Sequence, residues 1–309
     1  MSEVLILLAT YNGEKYINEM VDSIIAQDYD DWHLVLSDDS SSDSTPQILA
    51  KYAHDYPEKI THYESHIRFG NAQNHFMHLL QKFHNAPYIM FCDQDDVWHK
   101  DKISKTLSKI KETEENDVPA LVHTDLAVVD GNLNKISDSF CKLSKINGDR
   151  LELNQLLVQN VVTGCTVMMN KKLAEICCRC PLPKEALMHD WWVAIICSVF
   201  GKSAFLDSAT IDYRQHGSNS VGAKNVTSPS YLLEKIKSKS MKKSLKNAAL
   251  QAEAFLKCFG DGIPKDKKTV IADFAETKDA SVFKRDYIYL KHRLFKCGII
   301  RILAQFIGG

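Results

Sequence analysis

Apolar and polar positions alternate along the chain in two rhythms. Residues 4–9 are an unbroken apolar run that ends in the polar turn Thr10-Tyr11-Asn12-Gly13, as a strand buried on both faces of a parallel sheet does. Ile17, Met20, Val21, Ile24 and Ile25 follow at helical spacing. A second run, 33–36, ends in Ser37-Asp38-Asp39-Ser40-Ser41-Ser42-Asp43. Ser44 or Thr45 is placed to cap the next helix, with Pro46 in its first turn. Residues 60–63 predict a short strand, and 72–83 a helix with Phe76, Leu79, Leu80 and Phe83 on one face. A third buried run, 88–92, ends in Asp93-Gln94-Asp95-Asp96. A charged helix over about 100–113 and a strand over 120–129 follow.

Strand, polar turn and helix in repetition predict an α/β fold with a mixed, mostly parallel sheet. Ligands bind beyond the carboxyl ends of such strands. Three of these ends carry acids or Thr and Asn, and none carries a glycine-rich phosphate loop. The absence of G-x-G-x-x-G after the first strand, and of a P-loop anywhere, argues against dinucleotide and P-loop chemistry. It also argues against a nucleotidyltransferase, which needs a glycine-rich signature where this chain has TYNGEKY.

The texture changes after about residue 150. Residues 159–169 predict a strand broken by Thr163-Gly164-Cys165, and His189-Asp190-Trp191-Trp192 opens an apolar helix over 193–200. A strand over 203–213 runs into Arg214-Gln215-His216-Gly217, and 218–230 reads as a loop. From Tyr231 onward the pattern is mainly helical and basic, and no repeat of fixed period occurs. The chain is therefore divided into an α/β domain over 1–222 and a helical region over 223–309.

Charge sharpens that division. The net charge is -1, yet residues 224–309 hold 18 Lys and Arg against 8 Asp and Glu, leaving 20 basic and 31 acidic residues in the first 223. An acidic body argues against a nucleic-acid binder, and a basic tail suits an anionic partner such as a membrane surface. Length, 309 residues, and a 45% hydrophobic content exclude a disordered chain and a small disulfide scaffold. The N-terminal run has an acid at Glu3 and no basic flank, so it reads as a strand and not as a signal peptide. The nine cysteines are then expected as reduced thiols. Cys177, Cys178 and Cys180 lack the second pair that a zinc site requires, so buried thiols are the simpler reading.

Asp93 and Asp95, two residues apart past a buried strand, can converge on one hard cation, leaving its other positions to water or a diphosphate. A solvated acidic loop is the bland alternative, set back by the apolar run before the acids and Val97-Trp98 after them. D-x-D-x-V after four apolar residues also resembles the nucleophile motif of haloacid-dehalogenase-type phosphatases. That motif ends the first strand of its domain, and here it ends a later one.

The ordered set TYNG, SDDSSSDST, CDQDDVW, TGCT, HDWW and YRQHGSN resembles the inverting family 2 glycosyltransferases of GT-A fold. The resemblance spans roughly residues 3–222 and is most similar to bacterial rhamnosyltransferases of surface polysaccharide synthesis. It implies a dTDP- or UDP-linked sugar donor, a lipid-linked saccharide acceptor, and Mn²⁺ or Mg²⁺ as cofactor. It further implies a cytoplasmic enzyme held at the inner face of the membrane. Thr10, Tyr11 and Asn12 would line the base pocket, and Asp38, with Asp39 nearby, would accept the N3–H of uracil or thymine. Asp93 would face the ribose, beside Gln94, and Asp95 would ligate the metal. Asn74 matches a donor-side Asn, while Arg214 and His216 would lie near the diphosphate, His216 as a further metal ligand. Asp190 would be the catalytic base, although its position also suits a simple N-cap. Gly164, His189, Trp191 and Trp192 would border the acceptor, the tryptophans as a platform for a sugar face or as core.

At the end of the chain, residues 287–307 interleave Lys291, Arg293, Lys296 and Arg301 with apolar residues that include Leu290, Leu294, Phe295, Ile299, Ile300, Leu303 and Phe306. That pattern predicts an interfacial amphipathic helix and not a spanning one. A solvated helix packing on the body or on a second copy is the other reading.

Overall fold

The computed structural model describes residues 3–215 and 240–308. His216 and the expected loop over 218–230 lie outside the described residues.

Among the described residues nine strands form one sheet. They are β1 (Val4–Thr10), β2 (Trp32–Asp38), β3 (Ile60–His62), β4 (Tyr88–Cys92), β5 (Val97–Trp98), β6 (Ala120–Val129), β7 (Lys135–Ser137), β8 (Met168–Asn170) and β9 (Lys202–Arg214). Their order is β3-β2-β1-β4-β8-β6-β9-β5, with β7 on β6. The long ladders, β1 with β2 and β4 and β6 with β9, are parallel, while the antiparallel pairings are short. The helices are α1 (Ile17–Ile25), α2 (Thr45–Asp55), α3 (Ala72–Phe83), α4 (Lys102–Thr113), α5 (Phe140–Ser144), α6 (Leu153–Leu156), α7 (Lys171–Cys177) and α8 (His189–Phe200). Four more follow: α9 (Ser240–Phe259), α10 (Lys265–Glu276), α11 (Val282–His292) and α12 (Ile299–Gly308).

Successive strand residues point to opposite faces, and the sheet accordingly carries two cores. Leu7, Val35, Ile89 and Phe91 face α3, α8 and the C-terminal helices, which contribute Phe255, Phe274 and Ile288. Ile6, Leu8, Leu34, Leu36 and Met90 face α1 and α4. The first core is continuous across the change in composition near residue 222.

Three expectations change. Of residues 159–169, only Met168 and Met169 pair in the sheet, and Gly164–Thr166 form a short 3₁₀ turn. An apolar run reports burial, and Val161 and Val162 are buried without ladder partners. The expected helix over 287–307 is two helices: Arg293 (φ 53°) caps the first in the left-handed region that ends a helix, and Gly298 (φ 87°), also left-handed, immediately precedes the second. Buried Leu294 plugs the first core between them. Third, Cys180 is not a thiol: it forms a disulfide with Cys258 of α9, while Cys177 is buried and Cys178 half-buried.

Candidate active site

A cavity of about 930 Å³ opens beyond the carboxyl ends of β1, β2 and β4. Thr10, Tyr11, Asn12, Asp39, Asp93, Gln94, Asp95, Gly164, His189, Asp190 and Trp191 all line it. Eleven of the residues singled out from the sequence thus meet in one space of the size that takes a small-molecule ligand.

Two loops are locked together on the donor side. Tyr11 N donates to Gln94 Oε1 at 2.9 Å, and Gln94 Nε2 donates to the Tyr11 carbonyl at 3.0 Å. A side chain at Gly13 would meet Gln94 Oε1 at 2.4 Å, which explains the glycine in TYNG. Asn12 takes a positive φ, 48°, and its Oδ1 accepts from Ser42 N. Asp38 does not line the cavity, since its carboxylate accepts from Thr10 Oγ1 at 2.9 Å and from Ser41 N at 2.7 Å. Asp39 does line it, and its carboxylate accepts from Phe69 N and Gly70 N.

Acids gather past β4. Burial and the nearby carboxylates of Asp95 and Asp190 push Asp93 well above the usual carboxylate range. Asp96, fully buried, accepts from Arg214 N through Oδ1, and its Oδ2 has no hydrogen-bond partner. Possible ligand atoms of Asp93, Asp96 and Cys165 lie within 4.8 Å of one another. A hard cation takes oxygen in preference to thiol, and Asp96 sits behind the wall, so the oxygens open to the cavity are those of Asp93 and Asp95. Their mutual repulsion is the kind a bound cation relieves.

Arg214 is buried and is not among the lining residues. Its guanidinium donates to the carbonyls of Asp95 (2.8 Å) and Gly131 (2.9 Å), pairs with Glu19 and stacks on Tyr16. In this structure it braces the acid loop from behind. Asn74 sits in the first turn of α3, where its N–H donates to the Asn71 cap, and it too is off the cavity wall.

Asp190 occupies the first turn of α8, whose N-cap is Met188 and has no side-chain cap bond, so the simple N-cap reading does not apply. Its Oδ2 accepts from Gly164 N at 2.9 Å, and its Oδ1 from Asn160 Nδ2 at 3.1 Å and from Trp191 N. Burial pushes its carboxyl up to about 6, while these donors pull the other way. His189 beside it is buried and stacked on Phe76 at 4.6 Å, with neither ring nitrogen hydrogen-bonded. Desolvation holds that imidazole neutral, down to about 3. A Cβ on Gly164 would lie 2.8 Å from His189 Nε2, so TGCT needs its glycine to bring the chain against both residues.

The two tryptophans separate. Trp191 lines the cavity, its Nε1 held by the Leu156 carbonyl at 2.6 Å. Trp192 is fully buried against Phe255 and Phe259 of α9, with ring centroids 5.4 and 6.2 Å away. It is core and not an acceptor platform. Sequence reasoning missed Arg68, His75, Asn160, Ser244 and Lys296, which also line the cavity. For Asn160, the polar side chain beside the apolar run 161–162 was the available signal.

The model described as glycosyl transferase family 2 matches residues 5–176. The chain belongs to this family. The dTDP-rhamnosyl transferase RfbG of Shigella flexneri is 31% identical over 224 residues, 70% of this chain and 74% of that protein. The UDP-Glc:alpha-D-GlcNAc-diphosphoundecaprenol beta-1,3-glucosyltransferase WfgD of Escherichia coli is 25% identical over 171 residues, 55% of this chain and 61% of that one. Among solved structures, S. aureus TarS 1-349 in complex with UDP-GlcNAc aligns with a TM-score of 0.58 at 18% identity, covering 89% of this chain and 72% of that one. The mannosyltransferase PcManGT of Pyrobaculum calidifontis, in complex with GDP-Man and Mn²⁺, aligns at 0.56 and 16%, covering 94% and 73%. The fold is that of the GT-A glycosyltransferases, and the enzyme is a glycosyltransferase with a nucleotide-sugar donor.

Proposed function

We propose that the enzyme transfers L-rhamnose from dTDP-L-rhamnose to a lipid-linked saccharide, with inversion, at the inner face of the membrane during cell-surface polysaccharide synthesis. The observation that carries the chemistry is one cavity lined by Asp93 and Asp95 together with a buried, amide-held Asp190. Similarity to RfbG supports the donor. A UDP-linked hexose or N-acetylhexosamine is the second reading, supported by the similarity to WfgD.

In this reading the acceptor hydroxyl gives its proton to Asp190 as its oxygen attacks the anomeric carbon, and the nucleotide diphosphate leaves from the opposite face. Asp190 Oδ2 accepts one hydrogen bond, from Gly164, and keeps a lone pair for that proton. Asp95, with Asp93, would hold Mn²⁺ or Mg²⁺ against the diphosphate, and such a cation offsets the charge of the leaving group. His216, outside the described residues, would be a further ligand. Thr10, Tyr11, Asn12 and Asp39 would hold the base, with Asp38 behind them bracing Thr10, and neutral His189 with Trp191 would border the sugars. The GT-A domain would end near residue 222, with the basic helices forming a second region.

Thermal shifts with dTDP and UDP, and then with their sugar nucleotides, each with and without Mn²⁺, test this. Stabilisation is expected to need nucleotide and metal together, to favour dTDP, and to vanish in Asp95→Ala. Preference for UDP would move the donor to the second reading, and no nucleotide response would reject the reading altogether.

A further inference from the structure

The last helix presents an apolar stripe to solvent. Ile299, Ile300, Leu303 and Ile307 of α12 are 77, 48, 51 and 68% exposed, and their spacing sets them on one face. The opposite side is seated: Ala304 packs on Met241 and Leu245 of α9, and Gln305 bonds the Leu294 carbonyl and Lys296 N. Exposed apolar side chains gathered on one face mark an interaction surface.

Three neighbours hold α12: Arg285 of α11 donates to the Phe306 carbonyl at 3.0 Å, and the other two also build the cavity. The start of α9 contributes Ser244 to the cavity wall, between Met241 and Leu245. On another side, Arg301 donates to the carbonyls of Ser144 (2.6 Å) and Lys145 (2.7 Å), in the segment whose Phe140 and Ile146 line the cavity. Each of these two supports carries exposed cations next to those contacts, Lys242 and Lys243 on α9 and Lys142 and Lys145 on the other segment. The helix that bears the stripe is thus seated on two segments that carry exposed lysines and also line the cavity that holds Asp190.

We propose that the Ile299, Ile300, Leu303 and Ile307 face of α12 docks the enzyme on an anionic lipid surface, with the lysines of those two segments on the headgroups, so that the cavity stands next to the bilayer. This rests on the reading of the acceptor as lipid-linked. The apolar face supplies insertion and the lysines supply attraction to negative headgroups. No helix among the described residues is long and apolar enough to cross a membrane, so attachment through α12 is peripheral.

The test is sedimentation of the full chain with phosphatidylcholine vesicles, with and without phosphatidylglycerol. Deleting α12 would uncover the core at Tyr289 and Leu294, so substitutions are the better probe. Wild type is expected to sediment with phosphatidylglycerol vesicles in a salt-sensitive way. Ile299→Ser with Leu303→Ser and Ile307→Ser is expected to lose about tenfold or more of that partition, as is Lys242→Glu with Lys243→Glu. Both variants are expected to keep the wild-type melting temperature and turnover with a water-soluble acceptor. Vesicle binding unchanged in the triple variant overturns the proposal. So does wild type that binds nucleotide but ignores vesicles, or a wild-type dimer that the triple variant converts to monomer, which gives the face to a second copy. Absence of the nucleotide response would instead reject the donor reading, independently of the vesicle result.

Discussion

Replacing Asp190 with Asn keeps the shape of the side chain and removes its capacity to take a proton. General-base assistance is worth about 10²–10⁴-fold in rate, or about 3–5 kcal/mol of barrier. kcat is expected to fall by that factor, and the dissociation constant for sugar nucleotide to change little, since the bonds that hold Asp190, from Gly164, Asn160 and Trp191, are separate from those that lock the TYN loop to Gln94. The wild-type rate is expected to rise with pH through about 6, where Asp190 ionises, and then level. The variant's residual rate would be low and flat across that range. Calorimetric nucleotide titration and steady-state turnover between pH 5 and 8, a span of about three units around the ordinary working range, read both quantities. A variant turning over within about tenfold of wild type, or one that keeps the wild-type pH profile, would refute the base assignment.

The same substitution makes a stability prediction of definite sign. The carboxyl moves from 3.8 to about 6 on folding. The folded protein therefore favours the protonated form, and the contribution is fully present below pH 3.8 and lost as pH rises through about 6. Two pKa units correspond to about 3 kcal/mol. The Asp190→Asn side chain carries no such loss, but its NH₂ would face the Gly164 N–H, donor against donor, at a cost of about 1–3 kcal/mol. The two effects nearly offset at neutral pH. The melting temperature of Asp190→Asn relative to wild type is therefore expected to rise between about pH 4 and 6 and to stay constant above. A difference independent of pH would mean that Asp190 is not desolvated in solution.

Three further substitutions probe the frame. Gly164→Ala drives a methyl toward His189 Nε2, 2.8 Å from the ideal Cβ, and is expected to cost about 1–3 kcal/mol in urea unfolding and to lower kcat more than donor affinity. Trp192→Ala is expected to destabilise by about 3–5 kcal/mol with acceptor KM unchanged in the folded fraction. A raised acceptor KM without loss of stability would return Trp192 to the acceptor side. Gln94→Ala breaks both bonds to the Tyr11 backbone and is expected to raise donor KM several-fold while the pH profile of kcat stays in place, since Gln94 does not titrate.

The parallel block of the sheet was legible because each of its strands is a continuous apolar run closed by a polar turn, and burial on both faces leaves that signature in β1, β2 and β4. Short pieces escaped. β5 is two residues long and α6 four, too few for any periodicity to register. The run before Met168 misled because apolar content marks depth and not ladder pairing. The site was legible where residues sit at strand or helix ends, as Thr10, Asp93 and Asp190 do. Arg214 was harder: a cation in a motif reads as a ligand for anions, and only the fold shows three backbone and side-chain acceptors waiting for it behind the acid loop. Lys102 is the mirror case, a surface-looking lysine that is fully buried above the Trp98 ring, 4.7 Å from its centroid, and held down to about 8 by desolvation.

The helices beyond residue 240 help to bury the helix that carries Asp190. Its helix, α8, is apolar all round, and a helix of that kind needs neighbours on every side. The sheet covers one side, through Phe91 and Leu121, and α9 covers another, through Phe255 and Phe259 against Trp192. Lys296, between α11 and α12, reaches the Val158 carbonyl at 2.7 Å and lines the same cavity as Asp190. The basic end of the chain thus packs on the helix that carries Asp190 and lines one side of its cavity. Loosening that packing from a distance, as Phe255→Ala would, should lower the pH at which kcat levels off, because water readmitted near α8 restores the charged form. An inflection that stays near 6 in a demonstrably loosened protein would assign the shift to the acids past β4 and not to burial.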